Sequence, residues 1–332
     1  MEQEQINMEP NGYQERIPVT RVTEMMDRVK EAIGAIIIGQ NEMVELLMTA
    51  LLADGHVLLE GVPGVAKTLT AKTLAALIAV DFSRIQFTPD LMPSDVIGTN
   101  IFNPKEGGFE FKKGPIFGNI VLIDEINRSP AKTQAALFEV MEERQITSDG
   151  FTHKMEAPFM VVATQNPIEH EGTYRLPEAQ LDRFLFKINI NYPSLEEELQ
   201  ILNLHHKKSA LNFLDNIQTV IDKKDIDFCR SVISQVIVEE KLLIYITQII
   251  HDTRNNPSLY LGASPRASIA LLNASKSLAV LRGRDFVTPE DIKDNVMPAL
   301  RHRVALTPEK EMDGLTTDSV LKEIIDRIEI PR

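Results

Sequence analysis

The chain is poor in cysteine. Cys229 is its only one, which excludes a disulfide framework and any cysteine-rich zinc ribbon or iron–sulfur centre. Positive charge is scarce too. The sequence has 35 lysines and arginines against 48 aspartates and glutamates, a net charge of −13. Nonspecific nucleic-acid binding draws on a surplus of phosphate-neutralising cations, so this deficit argues against it. No apolar run approaches the roughly 18 residues of a membrane span. Residues 1–16 are polar and acidic, without the basic start and apolar centre of a secretion signal. The expected compartment is the cytoplasm. There is no HExxH motif, no internal repeat and no low-complexity tract. His205-His206 beside Lys207-Lys208 reads as a solvated helix end rather than a metal site.

What is present has the balance of an ordinary globular protein. Hydrophobic residues make up 43% and charged residues 25% of 332 positions, roughly two domains' worth. Residues 1–15 read as a flexible tail. Helical spacing runs through 21–53, carried by Val22, Met25, Met26 and Val29 and then by Val44, Leu47, Met48 and Leu51. Runs of strand length follow at 56–60, 84–87, 120–124, 159–164 and 185–190. They are continuous rather than alternating, as in strands covered on both faces, and helical stretches separate several of them. This predicts a three-layer α/β domain over 16–193 with a five-stranded parallel sheet. Two hairpin signals interrupt it, one around Gly107-Gly108 and one at Ser148-Asp149-Gly150. Beyond Pro193 the periodicity is helical, which predicts an all-α domain over 194–332. Thr288 and Pro289 there read as helix cap and first helical residue. Cys229, after Phe228 on an apolar helix face, reads as core.

Three motifs carry chemistry. Gly61-Val62-Pro63-Gly64-Val65-Ala66-Lys67-Thr68 follows a buried strand and opens a helical stretch from Lys67 through Leu69 to Ile78. It fits the P-loop pattern, with Ala66 in place of the last glycine. Such a loop turns consecutive N–H groups and a helix N-terminus toward a polyphosphate. Lys67 would pair with its terminal phosphates, and the Thr68 hydroxyl would hold Mg²⁺. The Ala66 methyl is tolerable if its φ is negative. The second motif is 120–125, four aliphatics ending in Asp124 and Glu125. Acids at a buried strand tip call for a cation. Asp124 would hold Mg²⁺ through water and Glu125 would act as base on the attacking water. The spacing from the P-loop suits a neighbouring strand. The third is the strand at 159–164 ending in Gln165-Asn166-Pro167, whose Asn166 amide can address the γ-phosphate or the water.

With these three in order, the chain resembles the AAA+ ATPases. Pro63 within the P-loop, Asp124-Glu125 and Asn166 match the family's Walker A, Walker B and sensor-1 elements. Ile38-Gly39-Gln40 resembles the box that contacts adenine. Leu181-Asp182-Arg183-Phe184 resembles the arginine-finger segment, and Ser264-Pro265-Arg266 the start of the sensor-2 lid helix. The two hairpins sit where the helix-2-insert group carries its insertions, and within that group the wording is close to MoxR proteins. Ala66 is what those proteins usually have. The resemblance implies ATP and Mg²⁺ as ligands, a homo-hexameric ring, and Arg183 and Arg266 acting on the γ-phosphate. It further implies remodelling or maturation of client protein complexes, a partner with a von Willebrand factor A domain, and in some members metal or cofactor insertion.

Other positions divide between plain and functional readings. Gln86 is a strand-end polar residue or a holder of Glu125 away from the water. Arg128 and Arg175 are candidates for contact with a neighbouring subunit. Lys112-Lys113 is solvated surface or the lining of a ring pore. Two rival motors share the framework: an MCM-like nucleic-acid motor, which would want a basic hairpin tip, and a magnesium-chelatase-like subunit. An ATP-gated scaffold with negligible turnover is the non-enzyme alternative, against which Lys67, Asp124, Glu125, Asn166 and Arg183 together argue.

Overall fold

The computed structural model describes residues 16–62, 64–105, 107–148, 150–166, 176–207 and 217–331. Residues 1–15, Pro63, Pro167 and Arg175 lie outside that set. The chain begins with helices α1 (Val19–Gly34) and α2 (Asn41–Leu52). Then follow β1 (His56–Gly61), α3 (Lys67–Leu77), β2 (Phe82–Gln86), α4 (Pro93–Ile97), β3 (Gly98–Asn103), β4 (Gly108–Lys113), β5 (Ile120–Asp124) and α5 (Ala131–Glu143). Next come β6 (Gln145–Ser148), β7 (Phe151–Lys154), β8 (Met160–Gln165), α6 (Glu178–Leu181) and β9 (Phe184–Ile190). The remainder is helical: α7 (Leu195–Lys207), α8 (Lys223–Ser234), α9 (Glu240–Asn255), α10 (Pro265–Leu281), α11 (Pro289–Leu300), α12 (Pro308–Met312) and α13 (Thr317–Arg327). A short ladder of β10 (Leu259–Leu261) and β11 (Ala305–Leu306) interrupts it.

The five expected strands form one parallel sheet in the order β2-β5-β8-β1-β9. Successive side chains leave a strand on opposite faces. Val57 and Leu59 therefore join one core with Ile120, Leu122, Met160 and Val162. Leu58 joins the other with Val121, Ile123, Val161 and Ala163. Both faces are covered, which is why the runs read as continuously apolar. One expectation fails. The strand of Asp124 is not the neighbour of β1, because β8 lies between them. Chain order does not fix spatial order in a parallel sheet, where every connection is a crossover.

The first core continues without a break into the helical part, taking in Ile226, Cys229, Ile249, Leu271, Val296 and Leu321. Burial pushes the Cys229 thiol up to about 12, so it stays a neutral core group. Helix α11 starts as the sequence predicts: the Thr288 N–H donates to the Asp291 carboxylate (2.9 Å). Asp291 is fully buried and takes two further 2.6 Å hydrogen bonds from Arg284. That pairing lets a charge sit inside a helical core.

Both hairpins are present, as β3–β4 and β6–β7. They form one projection. The Phe111 and His153 rings stack at 4.2 Å, and Asn100 donates to Ser148 (3.4 Å). Phe102, Phe109 and Phe151 are exposed on it.

Candidate active site

A cavity of about 430 Å³ opens at the C-terminal edge of the sheet, lined by Gly64 to Leu69, Asp124, Glu125 and Asn166 among others. The edge is where crossovers leave the strands and ligands have room. The P-loop leads from β1 into α3. Gly61 is needed because a Cβ there would come within 2.7 Å of the Ile190 carbonyl of β9. Gly64 has φ +87° and open space around it. Ala66 does not meet the condition set for it: its φ is +59°. A left-handed alanine costs roughly 1–2 kcal/mol, and the loop carries that strain at a position facing the cavity.

Lys67 is drawn back onto the loop, its Nζ donating to the Gly61 carbonyl (2.6 Å). Burial holds its ammonium below the ordinary lysine value, against the opposing pull of Asp124, Glu125 and Glu60. Each Walker B carboxylate already has partners. Asp124 accepts from Arg84 Nε (2.6 Å) and from the Thr164 hydroxyl (3.3 Å). Glu125 accepts on one oxygen from Gln86 (2.9 Å) and Arg128 (2.8 Å). Its N–H donates to Thr164 Oγ1 (3.0 Å), and its φ is +57°. Gln86 thus makes the contact foreseen for it. Arg128 turns back onto Glu125 of its own chain.

The residues present suit a magnesium nucleotide. A helix N-terminus, a lysine and a threonine hydroxyl face two carboxylates across one cavity.

Gly39 and Gln40 lie beside the C-terminal end of β9. Gln40 donates to the Asn191 carbonyl (3.3 Å). Gly39, with φ +77°, sits against the Glu197 side chain of α7. They are not among the lining groups of the P-loop cavity, but β9 pairs Ile190 with Gly61, so they flank the same edge.

Arg183 and Arg266 are elsewhere. Arg183 precedes β9, at the opposite edge of the parallel sheet from the P-loop, a strand length of roughly 20 Å away. Arg266 joins it there: Glu142 accepts from Arg183 Nε (3.3 Å) and from both terminal nitrogens of Arg266 (3.1 and 2.5 Å). The reason is visible in the start of α10. Its cap Ser264 donates to Asp182 (2.8 Å), which docks the helix on the Arg183 segment. Arg266 therefore does not reach the phosphate site of its own chain.

Sequence reasoning missed Arg84, Thr164 and Glu142. Arg84 left a signal: it and Gln86 lie two apart, either side of Ile85, in a short strand and so share a face. Thr164, polar at the end of a five-residue apolar run, left a weaker one. Glu142 left none, since an acid near a helix end is ordinary.

Comparison with known proteins agrees with this geometry. The ATPase family associated with various cellular activities (AAA) matches residues 56–186, and the AAA lid domain matches 251–324. An uncharacterised protein of Bacillus subtilis, YeaC, is 47% identical over 92% of this chain and 95% of its own length. The chaperone MoxR1 of Mycobacterium tuberculosis is 42% identical over 92% of this chain and 82% of its own. The crystal structure of a candidate ATPase from Cytophaga hutchinsonii superposes with a TM-score of 0.88 at 41% identity, covering 95% and 97% of the two chains. The P-loop, the paired carboxylates, the sheet order that sets them on one edge and these relatives converge: the chain belongs to the MoxR family of AAA+ ATPases.

Proposed function

We propose that this protein hydrolyses ATP in a homo-hexameric ring and spends the energy on remodelling or maturing protein complexes. The observation that carries the reading is the single cavity shared by Lys67, Thr68, Asp124, Glu125 and Asn166. Residues Gly61 to Leu69 wrap the triphosphate, with Lys67 leaving the Gly61 carbonyl for the β- and γ-oxygens. Gly39 and Gln40 border the adenine. Thr68 and Asp124 would hold Mg²⁺, which when bound would supply positive charge beside the phosphates. Glu125, freed from Gln86 and Arg128, takes the proton of the attacking water. Asn166 orients that water or the γ-phosphate.

Arg183 and Arg266 lie at the far edge of the sheet from their own P-loop, which supports a ring in which one copy's arginines meet its neighbour's nucleotide. The hairpin projection supports a protein client over a nucleic acid. It exposes Phe102, Phe109 and Phe151, and the net charge is −13. Among the described residues no helix is long and apolar enough to cross a membrane. A client complex in the cytoplasm, recruited by a von Willebrand factor A partner and in some cases receiving a metal or cofactor, completes the proposal.

The test is Glu125→Gln. It keeps the side-chain shape and removes the base, so ATP binds with near-normal affinity while turnover falls ~10²–10⁴-fold. Near-normal turnover would mean that another group activates the water.

A further inference from the structure

Glu142 sits where α5 ends, and no step of the hydrolysis described above uses it. Yet it gathers two arginines, one from the segment before β9 and one from the helical part. Its contacts with them differ. Arg266 is gripped end-on, both terminal nitrogens on the two carboxylate oxygens. Arg183 gives Glu142 only its Nε. A guanidinium held through Nε keeps its two terminal nitrogens for another anion.

The backbone on either side of Arg183 is already fixed from the helical part. Arg303, almost fully buried, donates to the Asp182 carboxylate (2.6 Å) and to the carbonyls of Asp182 (3.0 Å), Phe184 (2.8 Å) and Leu185 (3.1 Å). What remains free is the long Arg183 side chain. One turn apart on α5, two residues cradle it: Phe138, its ring centroid 5.9 Å from the guanidinium carbon, and Glu142. We propose that Glu142 is a positioning residue for Arg183. It orients the guanidinium through Nε so that the terminal nitrogens meet the nucleotide of the adjoining copy, while Arg266 ties the same carboxylate to the helical part. This rests on the reading of Arg183 as acting across the ring.

The experiment measures steady-state ATP hydrolysis and nucleotide affinity of Glu142→Gln, Arg183→Ala, Arg183→Lys and the double variant Glu142→Gln/Arg183→Lys in assembled protein. Lysine keeps the charge and removes the Nε–H that Glu142 orients. Glu142→Gln should lower kcat about ten-fold with KM and melting temperature unchanged, a smaller loss than the ~10³–10⁵ of a missing finger. In the Arg183→Lys background the same change should have a much smaller effect on kcat, because the Nε contact is already gone and only the Arg266 contacts remain to be lost. Glu142→Asp, which keeps the charge on a shorter stem, should recover part of the rate. If Arg183→Ala turns over normally, the ring reading itself fails and takes this inference with it. If Arg183→Ala is crippled but Glu142→Gln leaves kcat intact, raises it, or lowers it equally in the Arg183→Lys background, the ring reading stands and the role of Glu142 is overturned.

Discussion

Arg84 offers the sharpest test of the site's electrostatics. Its Nε lies 2.6 Å from Asp124 Oδ2, and the Asp124 side chain is only 11% exposed. Without nucleotide, that guanidinium is the ion-paired partner of a nearly buried carboxylate. Arg84→Met removes the charge and keeps most of the aliphatic stem, so the change isolates the pair from packing. A hydrogen bond to a charged group contributes about 1.5–3 kcal/mol. Two features push the value to the low end: Arg84 is itself 54% exposed, so solvent screens the pair, and Lys67 acts on Asp124 from the other side. We expect a loss near 1.5 kcal/mol, which lowers the melting temperature by about 2 °C for a chain of this size. The decisive arm adds Mg²⁺ and ADP. The metal then supplies the positive charge that Asp124 lost, so the gap between variant and wild type should close. ADP with a chelator in place of Mg²⁺ should leave the gap open. Scanning calorimetry under the three conditions measures this directly. A variant as stable as wild type without nucleotide would refute the pairing. A deficit that persists at saturating Mg²⁺ and ADP would refute the idea that arginine and metal serve the same carboxylate.

Two further outcomes are open to measurement. Arg183→Ala subunits keep a sound P-loop and Lys67→Ala subunits keep a sound finger, so a mixture should hydrolyse ATP faster than either alone; a co-assembled mixture as inactive as its parts contradicts action across the ring. Burial holds the His56 imidazole down to about 3, helped by Arg144, and keeps His302 well below its usual value; His56 Nδ1 accepts from the Val161 N–H (3.0 Å), a role only the neutral ring can fill. The unfolded chain binds protons below about pH 6.5 that these two rings refuse, so stability is fully present above that pH and should drop by about 1.4 kcal/mol per histidine at pH 5.5; identical urea midpoints at pH 7.5 and 5.5 would contradict it.

The central strands were legible because their physics is local. A strand buried on both faces has no polar alternation to hide it, and 120–124 and 159–164 show this plainly. The P-loop was legible for the same reason: its glycines, lysine and threonine act within eight consecutive residues. What depended on assembly was not legible. Nothing in the spacing of 61–68 and 120–125 announces that β8 separates their strands. The sign of φ at Ala66 is set by how the loop wraps, and a methyl alone does not reveal it. The place of Arg266 was not legible because its reach depends on where α10 docks, and Ser264 docks it on Asp182, 82 positions away in sequence.

The contacts within the site also bear on how the proposed ring could be controlled. Its acids are matched inside one chain: Asp124 by Arg84, Glu125 by Gln86 and Arg128, Glu142 by Arg183 and Arg266. Lys67, the cation meant for phosphate, rests on a backbone carbonyl. A site paired this way is stable without ligand, because no buried charge is left uncompensated. The same pairing opposes the chemistry proposed for the site. The base shares its oxygen with two donors, and a second arginine is fully engaged with a carboxylate. Binding nucleotide must exchange these partners rather than simply add contacts, so the Lys67 and Asp124 pairs respond to the chain's own ligand. The Glu142 pair lies at the far edge, beyond that ligand's reach, and in the proposed ring would respond to the phosphate of another copy. In the proposed ring the two halves of the machinery would answer to different nucleotides, and that separation would let one subunit's state set its neighbour's rate.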